Sequence, residues 1–283
     1  MRLRFLGLVL GSNNSTKGTD MSFVREKKTF CGKAYMEVDI YPLSENHLRK
    51  KPSRKRTKVS TPSQKNLNDK NAKRYLRQLA KANFVSGDLH VSCTYKDEHL
   101  PETMEEAEKE VTNFIRRINY RNKKKGLPAI KYIIITEGHC KKDELVRMHH
   151  HIIMSGADRE MVEDLWRKPR AKGQKVGDRI GFCNADRLQV DDDGGISVIM
   201  NYLSKRPTGK KRWRASQNLI KPEETVADKK WTRRKLAAVA GVADDDFAFW
   251  NKKFPGWQMT SCKSEYNEIT GWSITLELRR LRE

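Results

Sequence analysis

The chain has 283 residues, enough for one sizeable hydrophobic core with appendages. It carries 58 Lys and Arg against 36 Asp and Glu, a formal net charge of +22, and so large a basic excess favours a polyanionic partner such as nucleic acid. The five cysteines are scattered and form no C-x-x-C pair, which argues against both a disulfide framework and a zinc ribbon.

Residues 1–64 are predicted to be an N-terminal extension. The apolar run Phe5–Leu10 is about a third of a membrane span, and no small-residue cleavage site follows it. We therefore expect no membrane or targeting segment, and a cytoplasmic location in a bacterial host. Seven of the ten residues from Arg49 to Lys58 are Lys or Arg. Such a run predicts a flexible basic arm, which either binds phosphates or is a solvated linker.

Residues 65–220 are predicted to form the core domain. Strands and helices are interspersed in it without a strict βαβ rhythm, so we expect an α+β fold with a largely antiparallel sheet. The strand over 88–95 alternates apolar residues, whereas the next two are continuously apolar, as in strands covered on both faces. The predicted elements are helices over 66–81, 103–124, 158–166 and 195–205, and strands over 88–95, 131–136 and 148–154.

Residues 221–283 are predicted to pack on the core or to extend it. Periodicity predicts helices over about 228–239 and 244–252. Two strands should then flank the turn Asn267–Gly271 and form a hairpin.

Three consecutive histidines, His149, His150 and His151, begin the strand over 148–154. On a strand, the first and third project from one face and the second from the other. Two imidazoles one pleat apart can chelate a single divalent ion. A polar cluster at a strand end is the alternative interpretation.

Glu137 is the predicted third ligand because it ends the preceding apolar strand, and antiparallel pairing would bring its carboxylate beside the histidine pair. Two His and one carboxylate leave coordination positions open, as a catalytic metal site requires. A surface acid is the alternative for Glu137, and His139 is its rival as ligand. A structural zinc site of His139, Cys140, His149 and His151 is also open, although its spacing is not a standard one.

Tyr202 and Lys205 lie three residues apart on the predicted helix after Gly195, so they are neighbours on its surface. The apolar stripe of this helix would hold Tyr202 near the sheet, with its hydroxyl available to a phosphodiester. A boundary-packing tyrosine is the alternative. The stripe consists of Ile196, Ile199, Met200 and Leu203.

A basic segment with one aromatic residue follows this helix. Charge with an interleaved aromatic suits single-stranded nucleic acid, where phosphates are neutralised and a base stacks. The alternative is a solvated loop with Trp213 in the core. The predicted nucleic-acid-binding residues are Arg147, Arg206, Lys210, Lys211, Arg212, Trp213 and Arg214.

In chain order, the strand Leu89–Tyr95, Glu137, the segment Arg147–Met154 and the segment Asn201–Lys205 resemble the motifs of HUH rolling-circle replication initiators. The likeness is greatest to replication-associated proteins of phages and plasmids of Gram-positive bacteria, related to the filamentous-phage gene II protein. It spans roughly residue 21 to the C-terminus. Two further segments are similar to that group, 212–219 and 249–257.

The resemblance implies an HUH endonuclease fold, a five-stranded antiparallel sheet with the histidine strand central and helices on its faces. It also implies a site-specific nickase that starts rolling-circle replication. Tyr202 would form a 5′-phosphotyrosine, and Lys205 would offset developing charge. Mg²⁺ or Mn²⁺ would be held by His149, His151 and Glu137. Val198 stands where two-tyrosine initiators carry their second tyrosine, which indicates a single-tyrosine type.

The partners implied are single-stranded or extruded origin DNA, a host helicase and a DNA polymerase. A helicase must come from the host because no P-loop motif occurs in the sequence. A homodimer is an open alternative to a monomer. The competing functions are a single-tyrosine HUH transposase, which is usually more compact, and a non-catalytic origin-binding protein with a structural metal.

Overall fold

The computed structural model describes residues 22–44, 61–138, 147–190, 195–204 and 212–281, apart from 243 and 245. The predicted basic arm over 49–58 lies outside these residues. Within them, two five-stranded sheets form, and every strand pair is antiparallel. The helices are α1 (Pro62–Lys81), α2 (Met104–Lys124), α3 (Arg159–Asp164), α4 (Ser197–Leu203), α5 (Arg233–Ala240) and α6 (Phe247–Lys253).

The sheet that carries the histidines has the strand order β6-β3-β5-β4-β7, so the histidine strand is central. Helices cover both of its faces. This confirms the predicted α+β fold with a five-stranded antiparallel sheet flanked by helices. The strands of this sheet, called the histidine sheet below, are β3 (Leu89–Thr94), β4 (Lys131–Glu137), β5 (His149–Ser155), β6 (Cys183–Arg187) and β7 (Arg214–Ala215).

The two faces of the histidine sheet pack against different helices. Ile134 and Ile152 face α2 and α3, in a core that includes Phe114 and Trp166. Side chains alternate along a strand, so the neighbouring residues face the other way, toward α1 and α4. The residues of that second core are Leu76, Leu79, Ala80, Phe84, Ile133, Ile135, Ile153, Leu188, Ile196, Met200, Leu203 and Leu219.

The second sheet joins the two ends of the described chain in the order β8-β1-β2-β10-β9. The sequence does not predict the strand pair over 22–44, which supplies β1 and β2. The predicted hairpin around 267–271 is confirmed as β9 and β10. The strands of this sheet, called the terminal sheet below, are β1 (Ser22–Cys31), β2 (Tyr35–Ser44), β8 (Glu223–Trp231), β9 (Trp257–Asn267) and β10 (Gly271–Arg280).

The predicted helix over 228–239 is wrong in its first part, which belongs to strand β8. Backbone pairing with β1 outweighs local helix preference there, and Asp228 binds Arg25 of β1 at 2.7 Å. Helix α5 begins only after Thr232, whose side chain caps it by accepting from the backbone N–H of Lys235 at 3.2 Å.

Helix α1 connects the two sheets through buried charge. Arg74 binds the carboxylates of Glu37 at 2.7 Å and Asp39 at 2.9 Å, both on β2. Lys81 binds Glu277 of β10 at 2.7 Å. The opposite side of α1 packs its apolar residues on the histidine sheet. The division of the chain into residues 1–64, 65–220 and 221–283 remains a prediction. The terminal sheet combines strands from the first and the last of these segments.

No helix in the described part of the chain has the length and apolar character needed to cross a membrane.

Candidate metal centre

Glu137, His149 and His151 converge at one end of strands β4 and β5. Glu137 and His149 are register partners, with 4.0 Å between the Oε2 and Nε2 atoms. The ring centroids of His149 and His151 lie 4.9 Å apart. Each of the three residues offers a ligand atom within 4.8 Å of the others, and all three are half-buried. The structure thus brings the three predicted ligands together.

The backbone of Arg147 sets the orientation of His149. The Nδ1 of His149 lies 2.8 Å from the carbonyl oxygen of Arg147, which can only accept. In neutral His149 this contact puts the proton on Nδ1 and leaves the Nε2 lone pair toward Glu137. Gly138 makes room for the same carbonyl: its φ is +97°, and a Cβ there would lie 2.2 Å from the oxygen of Arg147.

Two residues of β3 that the sequence did not single out surround His151. Its Nδ1 lies 3.2 Å from Nε2 of His90 and 3.3 Å from Oγ of Ser92. The rings of His90 and His151 are stacked, with centroids 5.3 Å apart. The sequence contained a signal for both residues. Leu89 and Val91 alternate along β3 and are buried on one face, so residues 90 and 92 must project from the other face of the sheet.

His151 is neutral in this environment. Burial, followed by the charges of His149 and His90, lowers the pKa of His151 to about 4. A proton on Nδ1, donated to His90 or Ser92, leaves Nε2 of His151 with a free lone pair. The lone pairs of the two histidines and the carboxylate of Glu137 are the donors that a divalent cation needs.

His150 points to the opposite face of the sheet, where it is buried in the core and hydrogen-bonded to neighbouring side chains. It is fully buried, with Nε2 2.7 Å from the hydroxyl of Tyr95 and Nδ1 2.9 Å from the hydroxyl of Thr136. Burial, with lesser contributions from nearby charges, lowers the pKa of His150 to about 3, so the ring is neutral. Both ring nitrogens therefore have partners within the core.

The chemistry of the three ligands fits a catalytic divalent metal better than a structural zinc site. The set contains two imidazole nitrogens and one carboxylate oxygen, and no cysteine of the described residues belongs to it. Such a set leaves coordination positions open for a phosphate oxygen or water. The rival ligands His139 and Cys140 lie outside the described residues.

Tyr202 is carried by a helix on the same face as the candidate ligands. Met200 and Leu203 of α4 pack on Ile135 and Ile153 of the histidine sheet. Residues 137, 149 and 151 have the same strand parity as these isoleucines, so they share the face that α4 covers. Tyr202 itself is 64 % exposed. Its predicted partner Lys205 lies outside the described residues.

The predicted nucleic-acid-binding residues do not form one group in the described part of the chain. Arg147 is bound to Asp97 at 2.7 Å, and Arg212 forms an ion pair with Asp69. Trp213 is half-buried and packs against the core that lies under α1 and α4. Three of the predicted residues, Arg206, Lys210 and Lys211, lie outside the described part of the chain.

Arg214 lies on the opposite face from the candidate ligands. Its guanidinium donates to the carbonyl of Glu108 at 3.0 Å and to the hydroxyl of Thr112 at 2.7 Å, both on α2. Its register partner Ile134 also faces α2. Arg214 is therefore not brought together with the ligands, because the alternation of β7 directs it away from them.

The fold and the site define a class: an α+β domain whose central antiparallel strand presents two histidines and a neighbouring carboxylate to one face. Residues 88–207 match the family model of replication-associated proteins of the ORF2 and gene II protein type. This match supports a replication-initiator family of phages and plasmids, in agreement with the resemblance seen in the sequence. The chain gives no match among the curated proteins or the solved structures.

The matched region contains the candidate ligands and Tyr202, and it ends before the strands β8, β9 and β10. The family supports a role in the initiation of DNA replication and in DNA binding.

Proposed function

We propose that this protein is a metal-dependent, site-specific single-strand DNA endonuclease that initiates rolling-circle replication through a 5′-phosphotyrosine intermediate. The observation that carries the proposal is the common face of the histidine sheet. The candidate ligands Glu137, His149 and His151 lie on it, and so does helix α4 with the exposed Tyr202.

Glu137, His149 and His151 would hold Mg²⁺ or Mn²⁺. When bound, such an ion supplies Lewis-acid polarisation of a scissile phosphate. His90, Ser92 and the carbonyl of Arg147 hold the two histidine rings in the orientation that presents both Nε2 atoms.

Tyr202 would be the nucleophile. Its phenolic oxygen would attack the phosphorus of the scissile phosphodiester, and the phenolic proton would be passed to the departing 3′ oxygen, directly or through water. The new bond joins the tyrosine oxygen to phosphorus, and the bond from phosphorus to the 3′ oxygen breaks. The products are a 5′-phosphotyrosine and a 3′-hydroxyl that primes synthesis. Free tyrosine, with a pKa near 10, needs activation, and Lys205 would offset the charge that develops.

The single strand would approach along the basic segment after α4. Arg206, Lys210 and Lys211 would neutralise phosphates, with Arg147 and Arg212 nearer the described core. Arg214, which contacts α2 on the opposite face of the sheet, would bind DNA only away from the candidate ligands. A host helicase and a polymerase would act with the nickase.

The decisive experiment is a search for the covalent adduct. The chain is incubated with overlapping single-stranded oligonucleotides that tile its replicon, in the presence of Mn²⁺, and is then digested for mass spectrometry. We expect one nucleotide adduct, on Tyr202, that is absent with EDTA. Tyr202→Phe should lose cleavage and keep DNA affinity, and Tyr120→Phe, also exposed, is the matched control. If the wild-type chain and Tyr202→Phe both bind the DNA and neither cleaves it or forms an adduct, the protein is a non-catalytic origin binder; if Tyr202→Phe cleaves as the wild type does, Tyr202 is not the nucleophile.

A further inference from the structure

Four lysine side chains converge around one buried carboxylate on the terminal sheet. The Nζ atoms of Lys230 and Lys28 lie 3.3 Å and 3.9 Å from Oε1 of Glu26, whose side chain is 2 % exposed. The other carboxylate oxygen of Glu26 accepts from Nε1 of Trp231 at 2.9 Å. Lys235 of α5 and Lys253 of α6 complete the group. We call Lys28, Lys230, Lys235 and Lys253 the lysine cluster.

Buried aromatic rings hold three of the four lysines of the cluster in place. The ammonium groups of Lys253 and Lys235 lie 4.3 Å and 5.3 Å from the ring centroid of Trp231, and that of Lys28 lies 4.9 Å from the ring of Phe254. Cation–π attraction of this kind favours a fixed position for a charge on a long, flexible side chain. The cluster is therefore positioned by the hydrophobic core of the terminal sheet.

Among the residues that the structure describes, Glu26 is the one carboxylate that forms ion pairs with the lysine cluster. It contacts Lys28 and Lys230, so the four ammonium groups outnumber their described ionic partner. Desolvation, followed by repulsion from Lys235, lowers the pKa of Lys253; Glu26 opposes this effect, and Lys230 and Lys28 add to it. An anion with several negative charges would relieve this repulsion.

The cluster is also separate from the candidate metal centre. Its residues lie on β1, β8, α5 and α6, outside the family match over 88–207. Glu26 and Lys28 share a strand parity with Val24, which packs in the core under α5 and α6. The odd-numbered residues of β1 and β2 face α1 instead, as Glu37 and Asp39 do.

We propose that the lysine cluster is a second DNA-binding site, which takes the phosphate backbone of the DNA without reading its sequence. Trp231 and Phe254 are 3 % and 4 % exposed, so their rings position ammonium groups and are closed to base stacking. Contacts to phosphate alone carry no sequence information. Such a site would hold the flanking DNA while the histidine sheet engages a single strand. This proposal does not depend on cleavage by Tyr202.

The test compares two triple variants of the full chain. One is Lys230→Gln with Lys235→Gln and Lys253→Gln. The matched control is Lys109→Gln with Lys123→Gln and Lys172→Gln, which removes the same charge from exposed positions outside the terminal sheet. Binding of a fluorescein-labelled duplex of arbitrary sequence is measured by anisotropy in EDTA over a series of NaCl concentrations. Thermal unfolding of each variant verifies the fold.

The plot of log K against log salt has a negative slope, and each phosphate contact contributes roughly 0.9 to its steepness. The cluster variant should therefore make the slope less steep by about 2 to 3. The control variant should leave the slope nearly unchanged. Equal effects of the two variants, or none, would overturn the proposal. So would a cluster variant that keeps its DNA affinity and loses binding to vesicles of anionic lipid. Cleavage of a short single strand by the cluster variant should stay at the wild-type rate, which separates this proposal from the proposed nickase.

Discussion

Glu137 and His149 face each other across strands β4 and β5, with the carboxylate Oε2 4.0 Å from the imidazole Nε2. A carboxylate and a ring nitrogen this close are placed to share a cation. Because Nδ1 of His149 is engaged by the carbonyl of Arg147, the free lone pair of neutral His149 is directed to the carboxylate side.

Removal of any one ligand should abolish tight metal binding. For Glu137→Ala, His149→Ala and His151→Ala, we expect Mn²⁺ affinity to fall by about 100-fold or more, because loss of a ligand exceeds the 10- to 100-fold cost of losing a residue that orients one. Isothermal titration calorimetry measures the affinity. His99→Ala, outside the ligand set, is the control, and a binding constant unchanged in all three variants would contradict the assignment.

His90 should act on the metal through His151. His90→Phe removes the partner at 3.2 Å from Nδ1 while keeping a ring in the stack. We expect Mn²⁺ affinity to fall about 10-fold, because Ser92 still contacts the same nitrogen. The double variant with Ser92→Ala should lose more. Electron paramagnetic resonance of Mn²⁺ gives a readout independent of cleavage, and equal affinity in wild type and the double variant would contradict this role.

Gly138 and Gly156 form a matched pair for testing the backbone beside the metal centre. Both have a positive φ, +97° and +76°, so alanine strains each by a comparable amount. Only at Gly138 would the added Cβ meet the carbonyl of Arg147, at 2.2 Å. We expect Gly138→Ala to weaken Mn²⁺ binding because His149 loses its support, and Gly156→Ala to lower stability alone. Calorimetric titration and urea unfolding of both variants separate the two effects, and equal metal affinity would show that the carbonyl is unimportant.

The ion pair between Arg74 and Glu37 should contribute strongly to stability. Arg74→Met leaves the Glu37 side chain, 2 % exposed, with the amide of Gln78 as its remaining partner among the described residues. Loss of one partner of a buried pair costs about 3 to 5 kcal/mol in the free energy of unfolding. Lys27→Met, which breaks a more exposed pair with Glu224, should cost about 1 kcal/mol or less. Urea denaturation compares the two, and similar losses would show that helix α1 is held by its apolar side alone.

Local pattern was sufficient for the central features of the candidate site. A strand alternates its side chains at every residue, so three consecutive histidines already determine that His149 and His151 share a face and His150 does not. The apolar stripe of α4 likewise determines that Met200 and Leu203 are buried.

Long-range pairing decided what the local pattern could not. Periodicity assigns a residue to a face, but it does not identify the strand or helix that covers that face. The sequence therefore missed the pairing of β1 and β2 with the C-terminal strands and misassigned the start of the segment 228–239. It also could not place Arg214 against α2.

By itself, the sequence determined an α+β fold, the family of residues 88–207 and the three candidate ligands, since these depend on spacing within single elements. Only the tertiary structure decided that His90 supports His151 and that Lys28 and Lys230 meet at the carboxylate of Glu26. Those relationships join residues distant in the chain, and their geometry is fixed by the packing of strands and helices against one another.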